Sequence, residues 1–222
     1  MNSFINVILL LVSLPTFLLT IFVGYDLPIE SLRMQASEIP NLPIIFLVLA
    51  AILCVLSLRR TLRRWSGLYL VNQRSKYVFN AEIKLERKKR VVVYTVLESV
   101  ILAYLGYAYT VITPLALAPS IVMYVFSLEG MIFLVYGLLG KKFRIGITTK
   151  AVLVADREVF VMYFSGLNEI SISQQSVYFT YAGNLQLNFP TECLDSGNKI
   201  EFFEIIKSQI DHDRVLLRIY EG

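Results

Sequence analysis

Four long apolar runs, separated by short polar stretches, restrict this chain more than any other feature. Residues 4–24 contain no charged side chain. A second run covers 41–58 and stops at Arg59 and Arg60. The third begins after Arg87, Lys88, Lys89 and Arg90 and reaches residue 112, interrupted only by Glu98; the fourth covers 115–140, interrupted only by Glu129, and is closed by Lys141 and Lys142. At about 1.5 Å per helical residue, runs of this length match a hydrocarbon core of about 30 Å. With 56% hydrophobic residues, 17% charged residues and a mean hydropathy of +0.62, a chain of 222 residues exceeds what a soluble core can cover. An integral membrane protein with spans at about 4–24, 41–58, 91–112 and 115–140 is expected. A cleaved leader is the competing reading of the first run, but no Lys or Arg precedes it and no small-x-small site follows Gly24.

The cations set the expected orientation, because Lys and Arg stay on the cytoplasmic side during insertion. The segment 59–90 carries Arg59, Arg60, Arg63, Arg64, Arg74, Lys76, Lys84, Arg87, Lys88, Lys89 and Arg90 against Glu82 and Glu86, whereas 25–40 carries Arg33 against Asp26, Glu30 and Glu38. Four spans in a plasma (inner) membrane, with both termini cytoplasmic, satisfy this bias. Thr113 and Pro114 join the last two spans as a tight turn, since proline disfavours helix in the residue before it.

Within 59–90, Leu62, Trp65, Leu68 and Tyr69 recur at helical spacing among Arg59, Arg60, Arg63 and Arg64, as in a helix lying along the bilayer interface. Cations beside a span fix topology and touch anionic headgroups, so Arg59, Arg60, Arg63, Arg64, Arg87, Lys88, Lys89 and Arg90 are expected at the membrane surface. Residues 79–90 are expected to extend the third helix. Glu98 and Glu129 are the intramembrane residues that ask for a use, because an ionised carboxylate at such depth costs at least about 2.5 kcal/mol. In an antiparallel hairpin they could approach and share a proton, or be held by Tyr94, Tyr104, Ser99, Ser127 or Tyr124 and join helices. Glycines and alanines at 103, 106, 108, 130, 137 and 140 would permit close helix approach.

From residue 141 the pattern changes to short alternating stretches at 143–148, 151–155, 159–164, 168–173, 176–181 and 185–189, punctuated by Thr149-Lys150, Asp156-Arg157, Gly166 and Gly183-Asn184. A helical stripe follows at 200–210, with Ile200, Phe203, Ile206 and Ile210, or Phe202 and Ile206, on the apolar side. Residues 215–220 read as a last strand or extended tail. The run 147–154, the strand start 165–172, Gly183-Asn184-Leu185-Gln186-Leu187 and the closing helix together resemble the bacterial PH-like domains carried by multispan membrane proteins. The likeness covers residues 141–212. It implies an adaptor with no catalytic residues, and Tyr178 and Tyr181 are the candidate partner surface. Eukaryotic relatives bind inositol phosphates through cations near the first hairpin; Lys150, Lys142 and Arg144 are sparse by that standard, and 141–222 holds nine basic and ten acidic residues.

No catalytic, cofactor or metal constellation emerges. His212, the single histidine, lies between Asp211 and Asp213 and reads as a solvated residue; Cys54 and Cys193 form no C-x-x-C pair. Nucleic acid is disfavoured because the basic segment abuts the bilayer. The fold class is therefore a four-helix transmembrane region (1–140) followed by a small β-rich PH-like domain with a C-terminal helix (141–222). The expected role is a non-catalytic one, binding or scaffolding a protein partner or a second copy. The rival is a channel, transporter or membrane-perturbing effector that uses Glu98 and Glu129.

Overall fold

The computed structural model describes residues 2–30, 33–173, 176–210 and 215–219. His212 with its neighbours Asp211 and Asp213, and Tyr220, lie outside the described residues. Four helices dominate: α1 (Asn2–Gly24), α2 (Leu42–Val71), α3 (Leu85–Ile112) and α4 (Leu117–Leu139). Each is long and apolar enough to cross a membrane, and only 17–28% of each apolar window is buried inside the protein. Leu10, Leu47, Val55, Val100, Val125 and Leu128 are all more than half exposed. Between α1 and α2, strands β1 (Pro28–Ile29) and β2 (Met34–Gln35) form a small antiparallel ladder.

The chain forms two compact units whose limits fall inside α2, α3 and α4: Met1–Arg63 with Tyr94–Leu134, and Arg64–Val93 with Val135–Gly222. The first is helical. Its buried cluster includes Val23, Phe46, Leu53, Tyr109 and Met123, and the Phe17 and Tyr109 rings lie 6.1 Å apart. Small residues let α3 meet α4: Ser120 Oγ donates to the Gly106 carbonyl at 2.6 Å, and Ser127 Oγ to the Ser99 carbonyl at 2.7 Å. A Cβ on Gly130 would come 2.7 Å from Ser99 Oγ, so a larger residue there would have to displace that hydroxyl. The hairpin turn is capped by Thr113, whose hydroxyl accepts from the Leu115 N–H at 3.4 Å.

The second unit contains two four-stranded sheets. One is β3 (Phe79–Glu82), β4 (Arg144–Ile147), β5 (Ala151–Ala155) and β6 (Val159–Tyr163), in that order and antiparallel throughout. The other has the order β10-β7-β8-β9, from β7 (Leu167–Ile172), β8 (Ser176–Tyr181), β9 (Gln186–Pro190) and β10 (Leu216–Ile219), the last pairing in parallel with β7. Helix α5 (Ser196–Gln209) links them through Phe202, whose ring stacks on Phe189 of β9 at 4.9 Å and meets Phe79 of β3 edge-on at 5.6 Å.

Two expectations need correction. Residues 79–82 are a strand, not the start of the third helix, and they pair with β4 in the register Phe79↔Ile147, Ala81↔Ile145; the sheet thus includes chain from well before residue 141. The physical reason is alternation: Phe79, Ala81 and Ile83 are buried while Asn80 and Glu82 are half-buried. In α5, Phe202 and Ile206 fill the core and Ile200 is 66% exposed, so the stripe through Ile200 is not the buried one. α2 also continues as one helix from the apolar run through Val71.

Candidate functional site

Strands β4 and β5 are buried along their whole length, not on alternate residues. A run such as Ala-Val-Leu-Val-Ala is apolar on both faces and needs cover on both. Val71 at the end of α2 packs in one cluster with Leu153, Ala155 and Val159. Gly67 is the close approach: a Cβ there would overlap the Val159 side chain, and one on Gly137 of α4 would overlap the Phe143 ring. Tyr77 lies against Gly146 in the same way.

Four of the eight cations expected at headgroups, Arg64, Arg87, Lys88 and Arg90, hold this unit together. Arg87 Nε donates to Asp156 Oδ2 at 2.8 Å, with the carboxylate 1% exposed, and Asp156 Oδ1 accepts from the Glu158 N–H at 2.9 Å. Buried Arg64 donates to the Arg157 carbonyl at 3.0 Å, so the β5–β6 turn is gripped from both α2 and α3. Lys88 pairs with Glu82, and Arg90 pairs with Glu192 at 2.7 Å. Arg144, at the base of the first hairpin, is buried and donates to the Asn80 side chain and, at 3.1 Å, to the Asn80 carbonyl. Burial, with repulsion from Arg74, holds its guanidinium below the usual value. Arg59 and Lys89 remain exposed, and Arg63 is half-buried.

In the helical unit, Arg60 Nη2 donates to Glu98 Oε2 at 2.7 Å and the Arg60 Nη1–Glu98 Oε1 contact completes a two-pronged pair. Both side chains are about a fifth exposed. Glu98 is therefore neutralised by a cation on α2, and Ser127, one of the hydroxyls considered for it, binds the Ser99 backbone instead. Glu129 is half-buried beside Gly130 on α4.

Tyr178 and Tyr181 lie on β8, where Val177 and Phe179 point inward and are fully buried. Tyr178 faces the side opposite the core, half-exposed, between Ser171 and Asn188 of the flanking strands. Tyr181 Oη donates to the Tyr163 carbonyl at 2.8 Å, and burial pushes its phenol up from the ordinary value.

Sequence reasoning missed a cavity of about 580 Å³ lined by Trp65, Tyr69, Asn72, Gln73, Tyr136 and Lys142, with Ser66 and Leu68. Trp65 and Tyr136 form one wall, their rings 5.3 Å apart. Asn72 builds another by donating to the Leu68 carbonyl at 2.7 Å and the Lys142 carbonyl at 2.9 Å. Lys142 is brought there by the end of α4. Its N–H reaches back to the Gly137 carbonyl at 2.9 Å while Lys141 takes a left-handed conformation (φ 49°), the closing turn in which glycine is more usual. The Trp and Tyr at helical spacing were the available signal; the pairing of 65–73 with 136–142 was not. Cys193 is 1% exposed and burial pushes its thiol up to about 11. Among the described residues no three His, Cys, Asp or Glu side chains gather as a metal site would require. Comparison of the chain with family models, curated proteins and solved structures gives no match.

Proposed function

We propose that this chain is a non-catalytic membrane protein whose four helices cross a bilayer and hold a PH-like binding domain on its cytoplasmic side. The apolar exposure of all four helices supports insertion, since a soluble monomer rarely leaves apolar patches beyond a few hundred Å² uncovered. The PH-like reading is supported by the order of elements: four antiparallel strands, three more, and a closing helix whose Phe202 joins the two sheets. The observation that carries the presentation mechanism is the clamp of Arg64, Arg87, Lys88 and Arg90 on the strands and turns of the domain. A module gripped this way by two helix ends offers a fixed face, and Tyr178 sits on the half-exposed side of β8 where a partner chain or second copy would dock. Arg59 and Lys89 are left for anionic headgroups. The flux reading gains no support from Glu98, which is committed to Arg60.

Truncation at residue 141 is a poor test, because it strips β3 of its pairing partner. Co-purification from mild detergent with Tyr178→Glu in the full chain is the better one. Loss of a stoichiometric partner, or of the dimer, is expected; an unchanged set of co-purifying proteins and an unchanged oligomeric state would sink the reading.

A further inference from the structure

We propose that the cavity formed by the ends of α2 and α4 is a phospholipid site selecting an anionic, hydroxylated head group such as that of phosphatidylglycerol; this rests on the reading that the helices cross a bilayer. Its volume of about 580 Å³ falls within the range of small-molecule sites, which combine apolar walls with a few convergent polar groups. Trp65, Tyr69 and Tyr136 supply the walls, and Trp and Tyr favour the headgroup level of a membrane. Tyr136 precedes by five residues Lys141, where the apolar run of α4 ends.

Two polar groups define the chemistry. Lys142 has no carboxylate partner among the described residues, in a unit where Arg87, Lys88 and Arg90 all have one. The amide oxygen of Gln73 is buried and accepts no hydrogen bond from any described residue. A buried acceptor left unmade costs free energy, so the site calls for a donor there and an anion at Lys142. A phosphodiester bearing a hydroxylated glycerol head group brings both. Phosphatidylcholine does not: its quaternary ammonium has no N–H to donate and would face the Lys142 charge. The Asn72 hydrogen bonds to Leu68 and Lys142 keep the pocket formed in the absence of ligand.

Trp65 is the single tryptophan of the chain, so intrinsic emission reads this cavity directly. The full chain in mild detergent is titrated with dihexanoyl-phosphatidylglycerol below its micelle concentration, and in parallel with dihexanoyl-phosphatidylcholine, glycerol 3-phosphate and inorganic phosphate. A saturating emission change is expected with phosphatidylglycerol, at a concentration about tenfold below any response to phosphatidylcholine. Lys142→Gln and Gln73→Glu should each weaken it about fivefold or more, the second by adding a carboxylate that competes with the phosphodiester for Lys142, while Lys207→Gln on α5, outside the cavity, leaves it unchanged. Equal responses to the two lipids, or equal weakening by Lys207→Gln, would overturn the proposal. Saturation by glycerol 3-phosphate or inorganic phosphate at the same concentration would overturn the lipid assignment in favour of a soluble anion. Retention in the membrane pellet after an alkaline wash is measured on the same preparations. A retained chain without lipid preference refutes the pocket alone, and release from the pellet refutes the membrane reading.

Discussion

Replacing Arg87 with Met tests the clamp between α3 and the β-domain. Asp156 is 1% exposed and keeps, after the change, only the 2.9 Å hydrogen bond from the Glu158 N–H. Removing one member of a buried pair costs about 3–5 kcal/mol, because the remaining charge stays desolvated. Arg87 is itself 26% exposed, so water reaches the pair from that side and the lower end, about 3 kcal/mol, applies. For a chain of this size each kcal/mol moves the midpoint by about 2–4 °C, which gives a drop of about 6–12 °C. The assay is thermal unfolding of the detergent-solubilised protein followed by Trp65 emission, with exposed Lys89→Met as the reference. Adding Asp156→Asn to Arg87→Met should return part of the loss, since the double variant no longer buries an uncompensated charge. An Arg87→Met midpoint within 1–2 °C of the Lys89→Met reference, by the same conversion, would refute the reasoning, and so would a double variant no better than the single.

Other consequences are as direct. Glu98→Gln should destabilise the helical unit by about 1–3 kcal/mol, since it leaves Arg60 without its carboxylate, and an apolar Met at both positions should restore most of that; liposome flux should be the same in Glu98→Gln and Glu129→Gln as in the unaltered protein. Cysteines placed at 81 and 145, Cα partners across β3 and β4, should form a disulfide under mild oxidation in the full chain, and failure to form it would remove β3 from the sheet. Cys193 should resist hydrophilic alkylating reagents at pH 8, because its buried thiol stays protonated until about 11. Its raised value stabilises the fold fully below the ordinary thiol value of 9.0, and that contribution is lost as pH rises towards about 11. Rapid labelling of folded protein at pH 8 would contradict the burial.

Much of this architecture could be read locally. The four helices follow from uninterrupted apolar runs, and the strands from 144 to 190 follow from short alternating or wholly apolar stretches between turn residues, because both signals depend on near neighbours in sequence. Strand β3 was hidden for the opposite reason. Its alternation of Phe79, Ala81 and Ile83 is short and embedded in a cation-rich stretch, and its partner Ile147 lies far along the chain. The same distance effect hid the partners of the cations. Arg64, Arg87 and Arg90 look like headgroup ligands when only their neighbours in sequence are visible, yet their partners are Arg157, Asp156 and Glu192. Arg60 and Glu98 were each noticed alone, and their pairing depends on helix packing that periodicity does not encode. The cavity at Trp65 arises in this way too, from residues at the ends of α2 and α4, with Lys142 following the left-handed turn at Lys141.

Photo-crosslinking from the outer face of β8, in native membranes with the intact chain, tests the presentation of the domain most directly. A benzophenone side chain at position 178 should give one discrete adduct, with a partner protein or a second copy. The same group at position 179, whose native Phe is fully buried, should give none. Absence of any adduct from 178, or an equal set of adducts from both positions, would contradict a domain held at the membrane to bind another chain.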